Sequence, residues 1–140
     1  MHKNFYHKLK VYYEDTDAGG VVYYANYLKY IERARTEALL SIGLSNTKIK
    51  KKFGTLIIVK SCNIEYKKSA HLEDKLDILS HITSLKKTSL IMKQLIMLEK
   101  KLITDAEIHL VFVNSQGKPE KIPDEIIKKF IPYVKNRMKK

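Results

Sequence analysis

With 140 residues, 44% of them hydrophobic and 30% charged, the chain is the size of one soluble domain that can bury its own core without metal or disulfide help. Its one cysteine excludes an intrachain disulfide and fits a reducing compartment, its apolar runs are too short to cross a membrane, and residues 1–7 lack the apolar core of a signal peptide, so a cytoplasmic protein is expected. The formal charge of +12 is almost all lysine, with arginine only at Arg33, Arg35 and Arg137; the Lys-rich spots at Lys48, Lys50, Lys51 and Lys52 and in the tail at Lys135, Lys139 and Lys140 lack arginine forks and aromatic platforms. They read as solvated surface that draws anionic ligands or partners, not as a nucleic-acid site.

In chain order, Leu9 to Tyr13 is predicted as a first strand that runs into Glu14-Asp15-Thr16-Asp17-Ala18-Gly19-Gly20. From Tyr24, apolar residues recur at Tyr27, Leu28, Ile31, Ala34, Ala38 and Ile42, one face of a long helix with Gly43 as its C-terminal cap. Arg33 and Glu37 lie four apart on its solvated side. Arg35 falls on the apolar side, where an interface or core ion pair with Glu65 or Asp15 is expected, a direct ligand role being the lesser reading. A short helix over residues 46–53 is bracketed by Ser45 and Gly54. The period then changes to two: Leu56, Ile58, Cys62, Ile64 and Tyr66 alternate along one strand, with Cys62 expected as a small buried hydrophobe. Strands are predicted over residues 76–85, 90–98 and 104–113. The middle one is apolar on both faces, Leu90, Met92, Ile96 and Leu98 against Ile91, Leu95 and Met97, so something must cover each side; one helix covers one face, and a second subunit is the natural cover for the other. Pro123 opens a terminal amphipathic stretch that offers Ile126, Ile127, Phe130 and Ile131, with Pro132 set to kink or end it. One long helix wrapped by a curved antiparallel sheet is the simplest α+β arrangement of these elements.

The chemistry concentrates at Asp17. Gly19 and Gly20 permit a tight turn after it, and the N–H groups of Val22, Tyr23 and Tyr24, at the start of the long helix, are expected to point outward at the positive end of its dipole. A carbonyl docked there would be polarised, with Asp17 attacking it or activating water. Asp15, Thr16 and Asp17 are also common helix caps, and at the level of residue types the two readings stand level. Tyr24 and Tyr27 fit either a substrate tunnel or plain core. Ser61 and Asn63 lie in the strand expected to face the helix start, within reach of a substrate. His2, His7, His71, His81 and His109 have no metal-ligand spacing, and the absence of a Gly-x-Ser-x-Gly elbow argues against an α/β-hydrolase.

The segment Tyr13-Glu14-Asp15-Thr16-Asp17-Ala18-Gly19-Gly20-Val21-Val22-Tyr23-Tyr24-Ala25-Asn26-Tyr27-Leu28, with Glu32-Arg33-Ala34-Arg35, closely resembles the YbgC-type acyl-CoA thioesterases, in the 4-hydroxybenzoyl-CoA thioesterase branch of the hotdog fold. Ile64-Glu65-Tyr66, Ala70-His71-Leu72-Glu73-Asp74, Val111-Phe112-Val113, Gly117-Lys118-Pro119 and Ile122-Pro123 extend the likeness over nearly the whole chain. The resemblance implies a single α+β hotdog domain over residues 1–140, hydrolysis of acyl-CoA without a cofactor, and assembly as a homodimer or homotetramer with sites at the subunit interface. It places the catalytic carboxylate on Asp17 and the oxyanion donor on the backbone N–H of Tyr24; the reading of the residues adds Val22, Tyr23, Tyr27, Ser61 and Asn63 as expected substrate contacts. Many members carry histidine where this chain has Tyr24, so the N–H carries over and an imidazole role does not. Ser69 stands where proline is common. The alternative is a binding or scaffold protein whose basic surface docks acidic acyl carrier protein or phospholipid-synthesis enzymes.

Overall fold

The computed structural model describes residues 2–135; Arg137, Lys139 and Lys140 of the basic tail lie outside them. Five antiparallel strands, β1 (Phe5–Lys10), β2 (Leu56–Tyr66), β3 (Lys75–Leu85), β4 (Ser89–Leu98) and β5 (Lys101–Val113), form one sheet in the order β1-β3-β4-β5-β2. Helix α1 (Asn26–Ser41) lies across one face, joined to β2 by the short helix α2 (Asn46–Phe53), and α3 (Asp124–Phe130) follows the last strand. This is the α+β hotdog arrangement.

The core forms where the periodicities of helix and strands meet. Tyr27, Tyr30, Ile31, Ala34 and Ala38 bury one stripe of α1. Against it, β3 to β5 turn the face of Ile78, Ile82, Met92, Ile96, Ala106, Ile108 and Phe112, all buried, as alternation requires. On β4 the other face is half covered in the single chain: Ile91, Leu95 and Met97 are half-buried. Helix α1 ends in a Schellman turn, with Gly43 at φ 81°, its N–H donating to Leu40 O and that of Leu44 to Leu39 O. Pro132 ends α3 as a helix but lets the chain continue as a 3-10 turn over Ile131–Tyr133. That turn returns to the N-terminus, where Tyr133 stacks on Phe5 with ring centroids 3.8 Å apart.

Three expectations are corrected. The first strand spans Phe5–Lys10, and Tyr13 instead opens a 3-10 turn, Tyr13–Asp15, because the Asp15 carboxylate accepts the N–H of Tyr12 at 3.0 Å and turns the chain. Cys62 is exposed, because β2 is an edge strand with no neighbour beyond it among the described residues. The third concerns which residues share a face of β2. Its register against β5 shifts between Val59 and Ser61, leaving Lys60 unpaired in a β-bulge. One extra residue exchanges the faces of everything beyond it. Ile57 and Val59 share a face with the inward Phe112 and Leu110, whereas past the bulge Cys62, Ile64 and Tyr66 share one with Ile108, Ala106 and Thr104. Leu56 and Ile58 therefore do not belong to the face of Cys62, Ile64 and Tyr66.

Candidate active site

The segment from Val11 to Asn26 folds into a hairpin-like loop laid on the turn before β3. Thr16 bridges Val22 and Val21 bridges His71; Val11 N–H donates to Asp74 O and Glu73 N–H to Val11 O. Within the loop, Asp17 N–H donates to Val21 O and Gly20 N–H returns to Asp17 O, closing a turn over residues 17–20. Gly19 N–H donates to the Asp17 carboxylate oxygen Oδ1 at 2.8 Å. Each glycine has a separate reason. Gly20 sits at φ 81°, a conformation other residues adopt only with strain. A Cβ at Gly19 would stand 3.3 Å from Asp17 Oδ1, crowding the carboxylate.

Helix α1 has Ala25 as its N-cap and no side-chain capping bond. Asp15, Thr16 and Asp17 therefore do not cap the long helix. Asp15 closes the 3-10 turn, the Thr16 hydroxyl donates to Tyr13 O at 2.7 Å, and the Asp17 carboxylate is left exposed on its loop.

The donors at the helix start separate in the same way. The N–H groups of Val22 and Tyr23, expected to face outward, are used inside the fold: they donate to Ala70 O at 2.9 Å and to Asp15 O at 3.0 Å. Among the described residues, the N–H groups of Tyr24 and Ala25 make no hydrogen bond within the chain. Asn26, which the sequence reading passed over, ties this point to the acidic loop, its Nδ2 donating to Asp15 O at 2.9 Å. The visible signal was an amide side chain at the first position of a helix that follows a polar loop.

The remaining expected contacts divide by burial. Tyr23 and Tyr24 are exposed with rings 5.0 Å apart. Tyr24 meets Tyr66 edge-on at 6.0 Å, which adds Tyr66 of β2 to the site. Val22 is core. Tyr27 is buried, its hydroxyl accepting the N–H of Ala70 at 3.0 Å; desolvation pushes its pKa up. Tyr30 is buried below Asp15, and burial followed by that carboxylate raises its phenol well above the usual range. Ser61 and Asn63 pair with His109 and Glu107, on the sheet face turned away from α1, because the bulge at Lys60 exchanges the faces.

Between α1 and β2 the inner face of the sheet stays open. Val59 and Tyr66 point to the helix side yet are 49% and 44% exposed. This groove runs from Tyr24 and Tyr66 past Cys62 to a cavity of about 150 Å³ lined by Arg35, Ala38, Leu39, Ile57, Val59 and Met92, among others. Arg35 makes neither expected ion pair. Its Nη1 donates to Gln94 Oε1 at 3.0 Å, while Glu65 pairs with Lys67 at 2.9 Å. No cluster of three or more metal-binding side chains occurs among the described residues, and no helix there is long and apolar enough to span a membrane.

Residues 11–130 match the family model of the thioesterase-like superfamily. The chain belongs to that superfamily. It is a thioester hydrolase of the hotdog fold, similar to the acyl-CoA thioester hydrolase YbgC of Escherichia coli O6:H1, with 40% identity over 87% of this chain and 92% of the relative. It is also similar to the acyl-CoA thioesterase YbgC of Haemophilus influenzae, with 32% identity over 90% and 93%. Among solved structures, a probable thioesterase from Bartonella henselae superposes with a TM-score of 0.82 at 29% identity, covering 86% of this chain and 99% of that one. The match spans the acidic loop, α1 and all of β2 to β5, so the loop and groove sit inside the shared fold.

Proposed function

We propose that the chain hydrolyses acyl-CoA thioesters to free acid and CoA, with Asp17 as nucleophile or general base and the Tyr24 N–H as oxyanion donor. The observation that carries this reading is the division of the loop's polar groups. The N–H groups of Val22 and Tyr23 and the Asp15 carboxylate are tied into the fold, whereas the Asp17 carboxylate is exposed and the Tyr24 N–H has no partner among the described residues. Attack at the thioester carbonyl carbon puts negative charge on its oxygen, which an unpaired N–H at a helix start stabilises. The C–S bond then breaks and CoA leaves as the thiolate. If Asp17 attacks directly, water hydrolyses the resulting mixed anhydride; if Asp17 takes a proton from water, the acid forms in one addition–elimination. Tyr23, Tyr24 and Tyr66 line the entrance, and the acyl group lies in the groove between α1 and β2.

Partners follow from the surfaces that one chain leaves open. The β2 edge has no neighbour among the described residues, and Leu56, Ile58 and Val59 are exposed along it; natural proteins rarely leave such an edge bare. A second copy along β2, and further copies on the half-covered face of Ile91, Leu95 and Met97, give the homodimer or homotetramer. A thioester carried on acidic acyl carrier protein would meet the exposed lysines of α2.

Replacing Asp17 with asparagine keeps the shape and removes the base. Steady-state hydrolysis by Asp17→Asn is expected to fall roughly 100-fold or more with an unchanged circular dichroism spectrum. Wild-type turnover in that variant would rule out the assignment.

A further inference from the structure

We propose that Arg35 and the cavity it lines read the far end of the acyl group, favouring chains that carry an oxygen acceptor there, a carboxylate or a hydroxyl, over plain alkyl chains. This rests on the thioesterase reading above and concerns the same groove.

The guanidinium is under-partnered for where it sits. Arg35 is half-buried, on the side of α1 that faces the groove. A guanidinium carries five N–H donors, and within the described residues one of them is used, by the neutral amide of Gln94. No carboxylate forms a salt bridge with it among those residues; Glu32, one turn earlier and lining the same cavity, is exposed. Burial lowers the Arg35 pKa, and the nearby Glu32 carboxylate offsets that only in part. Gln94 cannot turn to serve it better, because its Nε2 donates to Ile31 O at 3.0 Å and Ser80 Oγ at 3.1 Å. The amide oxygen is thereby held towards Arg35 and the guanidinium is fixed in place.

The cavity is otherwise mostly apolar, with Phe5, Leu90, Leu110 and Phe130 in its lining, and Glu32, Thr36 and Asn46 add polar groups. An occupant that is mainly hydrocarbon with an acceptor facing Arg35 suits this lining, the usual make-up of a selective small-molecule site. Arg35 lies nine positions after Asn26 on α1, roughly 14 Å along the axis at the helical rise, and its side chain leans back towards the helix start. An extended chain advances roughly 1.2 Å per bond, so about ten bonds separate the thioester carbonyl from the acceptor. Medium-length acyl groups with a terminal oxygen fit that span, and a planar fork suits a carboxylate best.

The test uses three CoA thioesters of equal chain length, ending in a methyl, a hydroxyl or a carboxylate, with the wild-type protein and its Arg35→Met variant. The wild type should show a kcat/KM for an oxygenated thioester higher by about ten- to a hundredfold, the range of a hydrogen bond to a charged group. Arg35→Met should bring that ratio close to one, the loss falling on the oxygenated thioesters more than on the methyl-ended one. The hydroxyl and carboxylate arms identify which oxygen is read. Equal ratios in the two proteins, or no preference in the wild type, would overturn the proposal. So would loss of all three activities in Arg35→Met together with a smaller mass in sedimentation, which would give the guanidinium to a contact between copies. Calorimetric binding of the same thioesters to Asp17→Asn needs no turnover and keeps the two readings apart. Selective binding without any wild-type hydrolysis would sink the thioesterase reading and leave the Arg35 reading standing; hydrolysis without selective binding would do the reverse.

Discussion

Asp17 and Tyr24 are seven residues apart, and their relative placement depends on backbone bonds around Asp15. The carbonyl of Asp15 accepts both Tyr23 N–H and the Asn26 side chain, so the loop that carries the carboxylate and the helix start that carries the donor share one acceptor. Asn26→Ala is expected to lower kcat by about tenfold with little change in KM, because a small misplacement of reacting groups acts on the chemical step. Asn26→Asp should be slower still at neutral pH, since an ionised carboxylate accepts only and would face a carbonyl oxygen. As pH falls towards the usual Asp pKa of about 3.9, its protonated form regains a donor, and the rate ratio of Asn26→Asp to Asn26→Ala should rise. A ratio constant with pH would remove Asn26 from this role. At this scale the sequence was legible as residue types: an acid, two glycines and a helix start. It did not reveal which backbone donors were already taken, because the acceptors of Val22 and Tyr23 lie at Ala70 and Asp15.

Among the elements, α1, α2 and β3 to β5 follow from periodicity, because each buries one face against the same core, although the register also shifts near Thr83 in β3 and Ile103 in β5. Helix α2 spans Asn46–Phe53, with the Ser45 hydroxyl accepting Lys48 N–H at 3.0 Å and Gly54 in the left-handed region, the bracket visible in the sequence. Strand β2 is the element where periodicity misled. Ile57 and Val59 face inward before Lys60 and Cys62, Ile64 and Tyr66 after it, and a chain of β-formers carries no local mark of a bulge. Gln94 is the buried joint between helix and sheet, fully enclosed and bonded to Arg35, Ile31 and Ser80. Gln94→Leu fills the space but strips those partners, and is expected to lower unfolding free energy by about 2–3 kcal/mol. A urea midpoint equal to that of the wild type would show that the network adds nothing to stability.

For the whole molecule, the terminal segments meet beside β3, Lys3 N–H donating to Pro132 O and Val134 bridging Ile82. His81 lies there beside His2, ring centroids 4.4 Å apart, and its buried Nε2 has no hydrogen-bond partner among the described residues. Burial first, then the charges of His2, Lys135 and Lys93, lower its pKa to about 4. A histidine depressed in the fold takes up its proton more readily when unfolded. Its contribution to stability is therefore full above about pH 6.5 and is lost as pH falls from there to about 4. The melting temperature should drop over that interval, and His81→Gln should flatten the drop; equal slopes in the two proteins would assign the dependence to other groups.

The sequence alone determined the fold class, the order of the elements and the segment on which the chemistry rests, because amphipathic period and turn chemistry are local properties. The resemblance of that segment then led to the family to which the chain belongs. Only the tertiary structure decided that the acidic residues leave α1 uncapped, that Ser61 and Asn63 face away from it, that Cys62 is exposed, and that Arg35 meets an amide instead of a carboxylate. Each of these depends on which distant groups the fold brings within about 3 Å of one another, the range of a hydrogen bond, or on a single extra residue in an edge strand. Such facts arise from chain closure, and periodicity along the sequence does not encode them.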